Sequence, residues 1–137
     1  MRHSINTPPR TIMEVYQMLP EGTLAELING TIYMSPAPTV QHQRILRDLA
    51  FQLSAFVNTM QKGEILFSPC DVYLDDDSNA VQPDIIFISK NNNIIDNTSA
   101  IRGVPDMLIE ILSKGNLAHD TDVKKQLYEK FGVQEYW

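Results

Sequence analysis

Asp84 and Glu110 are the first residues whose setting suggests chemistry. Each interrupts a stretch that is otherwise apolar, VQPDIIFIS (81–89) and PDMLIEILS (105–113). After Asp84, and apart from Glu110, these stretches are apolar at successive positions, the pattern of strands covered on both faces. A lone carboxylate in such a strand must shift its pKa, find a cation or bind a metal. Two of them on neighbouring strands repel unless a shared cation lies between. Magnesium prefers hard oxygen ligands and keeps several waters, so it suits two carboxylates completed by substrate phosphate. The plainer alternative has Asp84 capping a strand start and Glu110 pairing with a basic side chain.

Lys124 is the third candidate. Asp120, Lys124 and Tyr128 are spaced i, i+4, i+8 and share one side of a helix. A lysine beside a cation-held water could orient it or offset charge developing on phosphate. Its alternative is an exposed Asp120–Lys124 pair, worth about 0.2–0.5 kcal/mol. Glu26 reads as solvated if it points outward with Leu24. His42 extends an apolar helical stripe back by one turn from Ile45 and Leu46, and reads as half-buried rather than as a ligand. Asp71 and Gln82 could support the carboxylates, His3 and His119 read as surface residues, and Cys70 reads as a small core side chain. No nucleophile elbow, phosphate-binding loop or dinucleotide fingerprint occurs.

The elements that must position these residues follow from spacing. Residues 1–10 are polar and Pro-rich and read as a flexible arm. Thr11–Leu19 predicts a short capped helix with a stripe of Ile12, Val15, Tyr16 and Leu19. Leu24–Pro36 predicts a hairpin around Asn29-Gly30, a pair that tolerates positive φ. A long helix is expected over Val40–Met60, with Ile45, Leu46, Leu49, Leu53, Phe56, Val57 and Met60 as its stripe. Strands are expected over Glu64–Leu74, Val81–Ser89 and Pro105–Ser113, with a polar, Asn-rich loop over Lys90–Gly103. A second helix over His119–Phe131 buries Val123, Leu127, Tyr128 and Phe131, and VQEYW begins a last strand. This order predicts an α/β sandwich around a mixed sheet. A chain ending on Trp137 as a strand begins suggests truncation at the C-terminus.

The 137 residues suit one domain, 11–137, large enough for a core without staples. One cysteine excludes an internal disulfide and argues against a thiolate zinc site. No signal-peptide core or membrane-length apolar run is present, which suits the cytoplasm. The net charge of −6 counts against a nucleic-acid partner. A carboxylate-rich cation site softens that objection, because the cation itself brings positive charge.

AELINGTIYMSP, His42 at a helix head, QPDIIFI, VPDMLIEILS and DTDVKKQLYEKFGVQEYW occur in this order from about residue 11 to 137. Together they resemble the Uma-type family of restriction-endonuclease-like proteins, in the PD-(D/E)XK nuclease superfamily. The resemblance implies a restriction-endonuclease-like three-layer sandwich of core order αβββαβ. It also implies a magnesium-dependent endonuclease acting on DNA, with manganese as a substitute and a homodimer as one possible state. Pro83-Asp84 is similar to the superfamily's Pro-Asp, and Glu110 to its second acid. The superfamily's lysine position falls on Leu112 here; Lys124, four residues before Tyr128, resembles the lysine this family carries on the next helix. Glu26 and His42 resemble the family's glutamate and histidine near the site, and Glu26 could add a metal contact. The usual Ser-Pro after the strand is Ser113-Lys114, which makes Lys114 an alternative cation. A catalytically inactive binding or structural role on the same fold is the rival reading.

Overall fold

The computed structural model describes residues 8–96, 100–113 and 119–137, with residues 119 and 120 described for backbone alone. His3, Lys114 and the side chains of His119 and Asp120 lie outside the described residues, and with them the readings made of those groups.

Helix α1 spans Ile12–Gln17 and is capped by Thr11, whose hydroxyl accepts the Glu14 N–H. Strands β1 (Ala25–Ile28) and β2 (Thr31–Met34) form the expected hairpin. Its turn residues Asn29 and Gly30 have φ of 49° and 81°, the region that Asn and Gly enter at least cost. Helix α2 spans Val40–Thr59, and the Thr39 hydroxyl accepts the His42 N–H at its start. Its buried stripe is narrower than expected. Leu46, Ala50 and Val57 are buried, whereas Ile45, Phe56 and Met60 are exposed. One stripe of the helix, Leu46 and Ala50 with Leu49 and Leu53, packs on the sheet, and positions to the side of it find nothing to cover them.

Two of the three predicted long strands are broken, and the third is shortened. Glu64–Leu74 becomes β3 (Gly63–Phe67) and β4 (Val72–Tyr73). Val81–Ser89 becomes β5 (Ala80–Val81) and β6 (Ile85–Ser89). The breaks contain Pro69 and Pro83, which have no N–H to donate to a ladder. Within the loop expected to be irregular, β7 (Ile101–Arg102) forms. Strand β8 is Met107–Ile109. After a π-helical turn at His119–Val123 come α3 (Lys124–Lys130) and β9 (Glu135–Tyr136).

These strands make two sheets, ordered β2-β1-β5-β4-β7 and β3-β6-β8-β9. The second sheet with α2 and α3 has the expected order αβββαβ. Alternation divides its residues cleanly. Ile65, Ile85, Ile109 and Ile111 pack under Leu46 and Ala50 of α2. Ile86, Ile88 and Leu108 face the other way, onto Leu127 and Tyr128 of α3 and onto Ile28, Val72, Val81 and Ile101 of the first sheet. The third layer is thus shared between a helix and a sheet. The hairpin, expected as a small prelude, is one edge of that sheet.

Gly63 opens β3 with φ 150°, and a Cβ there would stand 2.1 Å from the Ile88 carbonyl oxygen. Backbone cannot yield as a flexible side chain can. Gly63→Ala should therefore cost about 1–3 kcal/mol in urea denaturation, and a loss within error of zero would refute this account of the strand start.

Candidate active site

Asp84 and Glu110 flank the ends of adjacent strands. In the β6–β8 register Ile85 lies opposite Ile109, so one further step places Asp84 beside Glu110. The Asp84 carboxylate confirms the proximity by accepting the Ile111 N–H at 2.6 Å through Oδ2. Glu110 is itself pinned by the last strand, its N–H bonding the Trp137 carbonyl at 2.9 Å.

Lys124 and Tyr128 reach Glu110 from α3. Lys124 Nζ stands 3.0 Å and the Tyr128 hydroxyl 2.7 Å from the same Glu110 oxygen, Oε1. Their spacing of four residues puts both on the helix face that meets the sheet. Lys124 is 4% exposed although it lies in the first turn of α3, where the helix dipole disfavours a cation. Two carboxylates compensate, because Nζ is also 2.9 Å from Glu26 Oε2. Glu110 does pair with a basic side chain, as the plainer alternative had it, and Lys124 is not an exposed residue.

Glu26 corrects the expectation of a solvated side chain, being only 4% exposed. Strand β1 is covered on both faces. Ala25 and Leu27 pack on Met13 and Tyr16 of α1, while Ile28 packs towards α3. Glu26 shares the face of Ile28 and so meets Lys124.

His42 sits in the first turn of α2, with Nε2 3.3 Å from Asp84 Oδ1. Its Nδ1 is buried without a partner. Gln82 donates its backbone N–H to Glu26 Oε1 at 2.8 Å, and its side-chain amide to Asp71 Oδ1 at 2.9 Å. The Tyr16 hydroxyl lies 2.9 Å from that same Asp71 oxygen and 3.0 Å from the Ala25 carbonyl. Tyr16 was read from the sequence only as part of an apolar stripe. A buried phenol needs a polar partner, and that was the available signal. Cys70 is half-buried against the main core cluster. Leu112, at the superfamily's lysine position, is half exposed.

The site is electrostatically tense. Burial first, then the charges of Glu26 and Asp84, push the Glu110 pKa up to about 8 against the pull of Lys124 and the Tyr128 hydroxyl. Burial opposes the Lys124 charge, but Glu110 and Glu26 outweigh it and hold the ammonium protonated. Burial and the Glu110 charge also raise the Tyr128 phenol well above its ordinary value, so it stays a donor. Asp84 and Glu110 fit a hard cation: adjacent oxygen donors with a repulsion that a cation would relieve. Among the described residues no three His, Cys, Asp or Glu side chains converge as a cage.

A crystal structure of a "putative nuclease belonging to DUF820" from Anabaena variabilis ATCC 29413 superposes with a TM-score of 0.74. It is 23% identical, and the match covers 94% of this chain and 73% of that one. At that identity the likeness carries the fold, which is restriction-endonuclease-like. No curated protein matches the chain. No helix among the described residues is long and apolar enough to cross a membrane. The family model described as "Putative restriction endonuclease" matches residues 12–137, almost the whole of the sequence, and the chain belongs to this family, Uma2.

Proposed function

We propose that the chain is a metal-dependent endonuclease that hydrolyses DNA phosphodiester bonds. The observation that carries the proposal is the meeting of Asp84, Glu110 and Lys124 from two adjacent strands and the following helix. Asp84 and Glu110 would hold magnesium, or manganese in its place; when bound, the ion supplies a Lewis acid that screens phosphate and lowers the pKa of bound water. The chain's own groups do the rest. Tyr128 and Lys124 fix the Glu110 carboxyl through Oε1 by two hydrogen bonds. The Ile111 N–H and His42 orient Asp84. The Lys124 ammonium stays charged and can steady negative charge developing on a phosphate.

A second reading, a catalytically inactive binding or structural module, draws on Leu112 at the superfamily's lysine position and on the net charge of −6. Plasmid cleavage with and without magnesium separates the two. The native chain should cut only with the ion, and Asp84→Asn should cut about 100-fold or more slowly. Full activity in Asp84→Asn defeats the site assignment. Absent cleavage, with DNA binding that weakens steeply as salt rises, favours the second reading.

A further inference from the structure

Glu26 stands close enough to Glu110 to invite a place among the cation ligands, or a second cation between the two acids. Its hydrogen bonds argue against both. Oε1 accepts the Gln82 backbone N–H at 2.8 Å, and Oε2 lies 2.9 Å from Lys124 Nζ. Asp84 also has a partner at each oxygen, but these are a backbone N–H and an imidazole; Glu26 Oε2, on a side chain 6% exposed, already faces a cation, the Lys124 ammonium. The space between Glu26 and Glu110 is filled by the Lys124 ammonium, which lies within 3.0 Å of each.

Glu26 is also held from outside the αβββαβ core. The Gln82 amide donates to Asp71 and, at 3.3 Å, to the Thr23 carbonyl. Asp71 is met by the Tyr16 hydroxyl of α1. This run of contacts fixes Gln82, whose N–H fixes Glu26, whose other oxygen fixes the amine. Lys124 has four methylenes to order, and two carboxylates at one ammonium leave it a single placement.

We infer that Glu26 is a positioning residue that acts through Lys124, and that the site takes one divalent ion, at Asp84 and Glu110. The inference rests on the proposed reading of the site. It assigns the acid of β1 to the amine and leaves the ion to the acids beside β6 and β8. A second ion would have to displace an ammonium held by two buried carboxylates.

The test is calorimetric titration of the native chain and of Glu26→Gln with manganese chloride, beside steady-state cleavage of DNA. Glutamine keeps an acceptor for the Gln82 N–H and loses the charge. The expected result is one ion per chain in both proteins, with unchanged affinity. The kcat of Glu26→Gln should fall by about 10- to 100-fold with KM unchanged, because the amine acts on the reacting phosphate and not on the bound duplex. Two ions per native chain overturn the inference, and this measurement needs no variant to fold. So does a loss of manganese affinity of about tenfold or more in Glu26→Gln, or an unchanged kcat. A native chain that binds no manganese instead overturns the reading of Asp84 and Glu110 as ligands, and the inference falls with it.

Discussion

Lys124→Met should lower the unfolding free energy by about 3–5 kcal/mol, the range for breaking a buried ion pair from one side. The ammonium lies within 3.0 Å of both Glu26 and Glu110, and all three side chains are almost fully buried. Without it, Glu26 and Glu110 face one another in the interior with Asp84 nearby, and the pair must take up a proton or repel, since neither can reach water. Methionine fills much of the volume, so the loss is electrostatic rather than a cavity. Two controls follow from that. Lowering the pH should restore part of the stability, since protonated acids no longer repel. Adding Glu26→Gln and Glu110→Gln to Lys124→Met should recover most of it, because a neutral cluster of this shape carries no uncompensated charge. Urea denaturation of the native, single and triple variants decides the matter. A single variant within about 1 kcal/mol of native, or a triple variant no better than the single, contradicts this account.

Glu110→Gln should do the opposite to stability while abolishing manganese binding. The folded-state pKa of Glu110 is raised to about 8 from an ordinary value of 4.5, by burial first and by its acidic neighbours next. A carboxyl with a raised folded pKa holds its proton in the folded chain where the unfolded chain has lost it. Its favourable contribution is complete below about pH 4.5, declines as pH rises, and is gone above about pH 8. The native chain should therefore lose stability across that window in the absence of divalent ions. Glutamine stays neutral, still accepts from Tyr128, and leaves Lys124 paired with Glu26 alone. The variant should match the native chain near pH 5 and exceed it by about 1–3 kcal/mol near pH 9. Thermal denaturation in EDTA at the two pH values checks this; a native chain whose stability rises from pH 5 to 9, with the variant tracking it in parallel, contradicts the assignment. Together the two variants separate a charge kept for chemistry from one kept for stability.

Asp84, Glu110 and Lys124 were legible in the sequence because each violates its surroundings. The acids break runs that should be buried, and the lysine shares a helical face with a buried tyrosine. The core order was legible for a related reason, since periods of two and of 3.6 survive in those segments. The rest of the first sheet, beyond its hairpin, was not. Its strands β4, β5 and β7 are two residues each, too short to show any period, and β4 and β5 adjoin longer apolar runs. Spacing alone left Glu26 solvated, and only the resemblance set it near the site, because burial on both faces of β1 depends on that sheet. Tyr16 was hidden in its own stripe, since a phenyl ring and a phenol count alike in a hydrophobic pattern. Gln82 acts in part through its backbone N–H, which no side-chain pattern reveals.

The tether between the two sheets sets a rule for altering this protein. Length changes at the Asn29-Gly30 loop tip leave the pairing of β1 to its inner neighbour in phase. A single residue added or removed between Thr23 and Glu26 has a different outcome, because it rotates β1 by half a pleat. Leu27 or Ala25 would then face the amine and the acid would face the apolar floor under the first helix. The spacing of a few residues in a hairpin outside the αβββαβ core is thereby as constrained as Asp84 and Glu110 themselves.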